Sequence, residues 1–386
     1  MIVEAHAGNK PAHRILVAPL DWGWGHAARV IPLVWALQGY ARCEVVLGIS
    51  GMSGRLLASE FPGLTKVDLP MPVVRYARGR SQVLKILLQL PRLFFGVLRE
   101  HRALKKAISR HHITAVISDN RYGLYSRQVP SVLILHQVRM SFPGGLNLWA
   151  GVFNRLQTWW MRRFDQVWIP DLPGEKAVAG FMSAALPGMK EVHHIGLLSR
   201  FFYGSQSHQH TDAPVHLLVV LSGPEPQRSR LEELLSPQLE DLGMTAMLVR
   251  GVMGDGTIHT RGRVSRVSHL LSSDLQQYMR SAHVVVCRSG YSSVMDLIAL
   301  RKQAVLIPTP GQPEQEYLAG RMMEKGWFYA QQQEKVDLRA SLTQVKNYFP
   351  PRVAVSGMLF ERINSLFVRL EKGEGENEHR QSQTKA

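Results

Sequence analysis

The chain has 386 residues, 45% hydrophobic and 20% charged, which is a globular composition long enough for two domains. Its formal net charge of +16 suits a polyanionic partner: nucleic acid, an anionic membrane or a phosphorylated substrate. Zinc spacing, recognition-module signatures and aromatic–basic interleaving are missing, which argues against nucleic acid; two cysteines, Cys43 and Cys287, exclude a disulfide framework and fit a reducing cytoplasm, with no signal peptide, membrane span or lipidation motif legible.

Residues 1–13 read as a disordered lead-in. Arg14 to Leu20 reads as a strand, followed by the loop Asp21-Trp22-Gly23-Trp24-Gly25-His26 and an apolar helix from Ala27 to Leu37. Ala28 stands where a dinucleotide fingerprint has its third glycine. The next strand, Cys43 to Ile49, ends without the acid that a nicotinamide cofactor site needs. His26 opens a helix, where the dipole disfavours the imidazolium and suits a neutral general base. A structural histidine bonding the loop backbone fits equally, and spacing does not separate the two. Val83 to His112 is amphipathic and basic, with Pro91 expected to divide it into two helices. Such a segment lies either in a membrane interface or on the sheet with a solvated basic face.

Ile113 to Ser118 reads as a strand that ends in Asp119-Asn120-Arg121. Open α/β sheets gather their sites at strand C-termini, so Asp119 could approach His26 and fix its tautomer. Capping the next helix, or pairing with Arg121, is the alternative. Ser131 to His136 is a further strand, Gln137 to Trp149 a loop lining a cleft, and Gln166 to Pro170 and Glu191 to Ile195 the last strands of a domain spanning 14–198. Residues 199–214 form the linker; His208 and His210 within it have metal-clip spacing, but the segment reads as an exposed connector.

The second domain, 215–352, opens with the strand Val215 to Leu221 and the turn Ser222-Gly223, followed by Arg228 and the helix Leu231 to Leu235. Thr245 to Arg250 is a strand, Gly251 to Arg263 a Gly-rich excursion, and Asp274 to Ser281 a helix. The strand Val284 to Cys287 runs into Arg288-Ser289-Gly290-Tyr291-Ser292-Ser293 and the helix Val294 to Ala299. Free backbone N–H groups and the helix dipole make that turn an anion site. The strand Ala304 to Ile307 and a Pro/Gly loop lead to Glu314-Gln315-Glu316, side chains of the kind that grip sugar hydroxyls. Together these read as a nucleoside-diphosphate-sugar pocket. Residues 353–371 form an amphipathic helix and 372–386 a polar, disordered tail. The fold class is α/β: two similar halves, each a doubly wound Rossmann-like domain, facing a cleft.

The run VVVCRSG, then Asp296, the Pro-rich loop and the Gln315-Glu316 pair resemble the donor half of the family-28 glycosyltransferases. That family includes the peptidoglycan lipid-intermediate N-acetylglucosaminyltransferases. The resemblance implies a GT-B fold, with Gly23, Gly25 and His26 in a loop facing the acceptor and Asp119 as partner of the base. It further implies Ser222, Gly223 and Arg228 near the donor diphosphate, with Arg288, Ser289, Gly290 and Ser292 around it. Leu271 and Ser272 fall near the uracil, Asp296 on the ribose, and Gln315 and Glu316 on the sugar. The C-terminal helix crosses back to the first domain. The implied activity is an inverting transfer of N-acetylglucosamine or another hexose from a UDP-sugar, a co-substrate and not a cofactor. The acceptor is lipid-linked or a cell-envelope glycan, and the setting cytoplasmic, peripheral at the inner membrane face through residues 83–112. No Asp-x-Asp pair stands where a metal would be held. A sugar-nucleotide 2-epimerase of the same fold, or a non-catalytic sugar-nucleotide-binding protein, is the alternative.

Overall fold

The computed structural model describes residues 13–21, 23–40, 42–71, 82–139, 147–185, 189, 191–203, 215–354 and 357–384. The lead-in before His13, the segment 204–214 with His208 and His210, and most of the loop expected to line the cleft lie outside the described residues.

The first half holds β1 (His13–Pro19), α1 (Trp24–Gln38), β2 (Cys43–Ile49), α2 (Gly51–Glu60), β3 (Thr65–Asp68), α3 (Gln82–His111), β4 (Ala115–Asp119), β5 (Ser131–Ile134), α4 (Asn147–Met161), β6 (Gln166–Ile169) and β7 (Val192–His194). A short helix, α5 (Arg200–Tyr203), follows. The second half holds β8 (Leu217–Val220), α6 (Gln227–Asp241), β9 (Ala246–Val249), β10 (His259–Arg261), β11 (Val264–Val267), α7 (Ser272–Ser281), β12 (Val284–Cys287), α8 (Tyr291–Leu300), β13 (Gln303–Leu306), α9 (Pro313–Glu324), β14 (Tyr329–Ala330), α10 (Leu338–Gln344) and α11 (Met358–Thr384).

Each half carries one seven-stranded sheet, ordered β3-β2-β1-β4-β5-β6-β7 and β10-β11-β9-β8-β12-β13-β14. All pairings are parallel except β10 with β11. The strands read as unbroken apolar runs because both faces are covered, and β4, β5, β6, β9 and β12 are buried at every position. Strand order reverses between β1 and β4 in the first sheet and between β8 and β12 in the second. Ligand crevices of open α/β sheets form at such points.

Helix α1 is buried on nearly every side, from Ala27 to Leu37 with only Trp35 less covered. It packs against α2, α5 and α8, so it belongs to the interface between the halves as much as to its own sheet. Helix α11 returns to the first half, where Leu359, Ile363, Leu366 and Leu370 join the core of β1 and α1. Tyr40 donates to Asn364 Oδ1 at 2.8 Å on the same seam.

Several elements differ from the sequence reading. Helix α3 runs unbroken through Pro91: a proline forfeits one helical hydrogen bond, and turns on both sides carry the helix past it. Helix α11 continues to Thr384 and not to a tail beginning at 372; residues 372–384 contain many good helix formers and no proline. The Gly-rich excursion contains β10, hairpin-paired with β11. Its strand residues His259, Thr260 and Arg261 are all exposed, so no apolar alternation marked it. The linker does not begin at Ser199 as an open connector, because Ser199 and Phe201 are buried and Arg200 is held against α8.

Candidate active site between two switch points

The loop leaving β1 is fixed to its neighbour strand: Leu20 N–H donates to the Asp119 carbonyl at 2.9 Å. Gly23 caps α1 with a φ of 126°, a conformation that L side chains rarely adopt, and so turns the chain into the helix. This places His26 over the end of β4, although 93 residues separate it from Asp119. His26 Nδ1 lies 2.8 Å from Asp119 Oδ2.

A third group completes the pair. Arg29, one turn beyond His26 on α1, donates to Asp119 Oδ1 from Nη2 at 2.5 Å and from Nε at 3.1 Å. Arg29 Nη2 also stands 2.7 Å from His26 Nδ1. A guanidinium only donates and a carboxylate only accepts, so Nδ1 cannot serve both. Placing the proton on Nδ1 satisfies both Asp119 oxygens and leaves Arg29 its bonds to Oδ1. That tautomer frees His26 Nε2, which no described residue bonds, to accept a proton.

The electrostatics agree. Burial lowers the basicity of His26, and Arg29 and His136 oppose the raising effect of Asp119, so the imidazole titrates below its ordinary value. Burial pushes the Asp119 carboxyl up, but Arg29 and His26 together hold it below the usual carboxylate range. The network continues into the second half. Arg29 Nη1 lies 2.7 Å from His136 Nδ1, and His136 Nε2 lies 3.0 Å from Glu314 Oε1 on α9. His136 follows β5, and its ring rests 5.0 Å from that of Tyr291, whose hydroxyl donates to the Pro170 carbonyl.

On the opposite wall the first turn of α8 meets the histidine loop directly. Ser292 donates through Oγ to the Gly25 carbonyl at 2.7 Å. Gly290 caps α8, and Ser289, fully buried, donates to the Gln315 carbonyl at 2.7 Å, fixing α9 against the turn. Gln315 Oε1 accepts from the Thr309 N–H at 2.9 Å, and Glu316 Oε1 from the Gly311 N–H at 2.9 Å, so both shape the loop after β13. Leu271 caps α7 and packs against the core of the first half. Ser272 N–H donates to Glu60 Oε2 at 3.3 Å, and its buried hydroxyl has no partner among the described residues.

Three residues that the resemblance implies at the donor are bonded to protein groups here. Arg228 is paired with Glu225 and Glu232, at 2.6 Å each, and also donates to the Arg250 carbonyl, so its charge is neutralised inside its own domain. Arg288 is buried and donates to the Gln227 carbonyl at 2.7 Å and to Gln333 Oε1 at 2.6 Å; burial lowers its pKa to about 10. Asp296 is buried, accepting from Ser199 Oγ at 2.7 Å and Arg200 Nε at 3.1 Å. Burial pushes its carboxyl above the ordinary value despite Arg200. Its side chain fastens the end of the first half to α8.

Under the Gly223 turn, which has a φ of 103°, two buried polar atoms lack partners among the described residues: Arg288 Nε and Thr309 Oγ1. A Cβ on Gly223 would stand 3.5 Å from Thr309 Oγ1 and 4.0 Å from Arg288 Nε. Ser222, beside it, is half-buried. No cluster of three or more metal-ligating side chains occurs among the described residues.

The sequence reading missed Arg29, His136, Thr309 and the role of Glu314. A signal existed for Arg29: it is the one charge within the apolar stretch Ala27 to Leu37, and a buried charge demands a partner.

Two seven-stranded doubly wound domains with a dyad between their switch points define a GT-B architecture. The glycotransferase of kitacinnamycin shares this fold over 94% of this chain and 95% of its own, with a TM-score of 0.60 at 13% identity. SnogD from Streptomyces nogalater does so over 94% and 95%, with a TM-score of 0.56 at 15% identity. Residues 266–347 match the glycosyltransferase family 28 C-terminal domain. Similar curated proteins are named UDP-N-acetylglucosamine--N-acetylmuramyl-(pentapeptide) pyrophosphoryl-undecaprenol N-acetylglucosamine transferase. That of Rhodospirillum rubrum is 53% identical over 38 residues, 10% of each chain. That of a Methylobacterium is 31% identical over 99 residues, 25% of this chain and 23% of its own. The alignments thus span about a tenth to a quarter of these relatives' length.

Proposed function

We propose that the protein is an inverting, metal-independent glycosyltransferase that moves a sugar from a UDP-sugar to a lipid-linked or cell-envelope acceptor. The observation that carries this reading is the His26–Asp119 pair facing the first turn of α8, with Ser292 bonded to Gly25. His26 Nε2 takes the acceptor hydroxyl proton as the oxygen attacks the anomeric carbon, and Asp119 stabilises the imidazolium. The leaving diphosphate is held by the α8 N-terminus and Ser292. The unpartnered Arg288 Nε and Thr309 Oγ1 beneath Gly223 support a polar ligand at that turn. N-acetylglucosamine is the favoured sugar, from the names of the similar curated proteins.

The same reading takes the basic side of α3 as a contact for an anionic membrane at the cytoplasmic face. Leu104, Ala107 and Ile108 are buried against the sheet, while Arg99, Arg102, Lys105, Lys106 and Arg110 are exposed and Phe94 and Phe95 project at 48% and 68% exposure. No helix among the described residues is long and apolar enough to cross a membrane.

The test is incubation with UDP-N-acetylglucosamine and a polyprenyl-diphosphate sugar acceptor, in EDTA, following UDP release and the glycosylated lipid. Product that disappears with His26→Ala supports the assignment. Undiminished transfer by His26→Ala, or epimerised donor formed without acceptor, overturns it.

A further inference from the structure

We propose that Arg29 is a positioning residue that shares Asp119 with His26 and keeps the imidazole available to take a proton, with its own orientation fixed through His136 by Glu314 of the second domain. The inference rests on the reading of His26 as the base.

A buried histidine with a carboxylate as its sole partner is drawn toward the imidazolium form, which cannot accept a proton. Here the carboxylate is divided. Arg29 takes Oδ1 with two donors, and only Oδ2 faces His26, at 2.8 Å. The third guanidinium nitrogen reaches His136 Nδ1 at 2.7 Å. Since Arg29 only donates, His136 accepts at Nδ1, carries its proton on Nε2 and donates it to Glu314 Oε1. One chain of bonds therefore runs from α9 through the end of β5 and α1 to the end of β4.

The charges follow from the same bonds. The titratable and charged groups facing His26 are Asp119 from β4, Arg29 from its own helix, His136 from the β5 end and Glu314 from α9. With both imidazoles neutral the set carries one net negative charge, and proton uptake by His26 brings it to zero. Without Arg29 the set would carry two negative charges, and His26 would take a proton more readily against the burial that lowers it most. Arg29 itself is 3% exposed and spends its donors on Asp119 and His136, so it acts through Asp119 and not on substrate.

The experiment is a titration of labelled imidazoles by NMR in the full-length protein, with His26 assigned by its loss in His26→Gln, alongside pH profiles of kcat/KM. Wild type, Arg29→Met and Arg29→Lys are compared. In Arg29→Met the His26 midpoint rises by about one pH unit or more, and kcat/KM near pH 6.5 falls about tenfold and recovers on the alkaline side. Arg29→Lys keeps the charge and titrates near wild type. Arg29→Gln replaces the Met variant if that one does not fold. A His26 midpoint that is unmoved or lower without Arg29, or equal effects of Met and Lys, overturns the proposal. If no donor–acceptor pair turns over in wild type, the function above fails while the titration still decides the role of Arg29.

Discussion

Asp119→Asn isolates the carboxylate of the dyad. In the wild type the carboxylate attracts the imidazolium that forms as His26 takes a proton. At a charge separation of about 4 Å and an effective dielectric constant of about 20, that attraction is about 4 kcal/mol. Arg29, with Nη2 2.7 Å from Nδ1, repels the same imidazolium, but it does so before and after the substitution and drops out of the comparison. The net loss is about 4 kcal/mol, or about a thousandfold. The amide adds a second effect: its N–H can face Nδ1 and move the imidazole proton to Nε2, where the base is needed, for a further factor of about ten to a hundred. The expected fall in kcat is about a thousandfold or more, with donor affinity by calorimetry unchanged, because Asp119 belongs to the first half. Loss of the buried Arg29 pair also costs about 3–5 kcal/mol of stability, so the assay belongs well below the variant's melting point. A kcat within about threefold of wild type, at unchanged donor affinity, refutes the dyad.

Two further predictions follow from the same bonds. Burial, with Arg29 and His136, holds His26 below its ordinary value of about 6.5. Activity requires the neutral ring, so kcat/KM falls on an acid limb below that pH and is level just above it; a limb at or above pH 7 contradicts this. The sign for stability is the same: a depressed histidine contributes stability that is present above about pH 6.5 and lost as pH falls through its folded value. Asp296→Ala leaves Arg200 without its carboxylate and Ser199 without its acceptor, so calorimetry should show a melting point lowered by several degrees while the UDP-sugar Kd shifts less than about threefold. An unchanged melting point with donor affinity lost more than tenfold restores Asp296 to the ribose.

The architecture was legible because parallel strands buried on both faces are apolar runs, and Val284 to Cys287 and Cys43 to Ile49 have the same limits in sequence and structure. The approach of Asp119 to the histidine loop was legible from strand ends alone, since β1 and β4 are neighbours with Pro19 opposite Asp119. Partner choice was not. The resemblance implies Arg228 near the donor diphosphate, while in the structure Glu225 and Glu232 at i−3 and i+4 pair with it. Asp296 meets Ser199 and Arg200 from a distant stretch of chain. Arg121 was a candidate partner of Asp119, but Glu100 of α3 holds it at 2.6 Å in a fully buried pair. The hairpin of β10 and β11 escaped notice because its outer strand is polar throughout.

The two halves close on each other through groups that a donor would also use. Ser292 has one hydroxyl proton, and in this form it points to the Gly25 carbonyl. A phosphate that takes that proton must first displace Gly25, the residue immediately before His26. The exchange is close to neutral in energy, one O–H···O bond for another, so a modest gain from the rest of the ligand suffices to drive it. Other bridges between the halves join Asp296 to Arg200, Tyr291 to the Pro170 carbonyl, Arg321 to the Val178 carbonyl and His136 to Glu314. Beside the base the halves are joined by Ser292 to the Gly25 carbonyl and by His136 to Glu314. A phosphate on Ser292 would therefore be felt first at the loop that carries His26, while the Arg29–His136–Glu314 chain would keep the imidazole aligned.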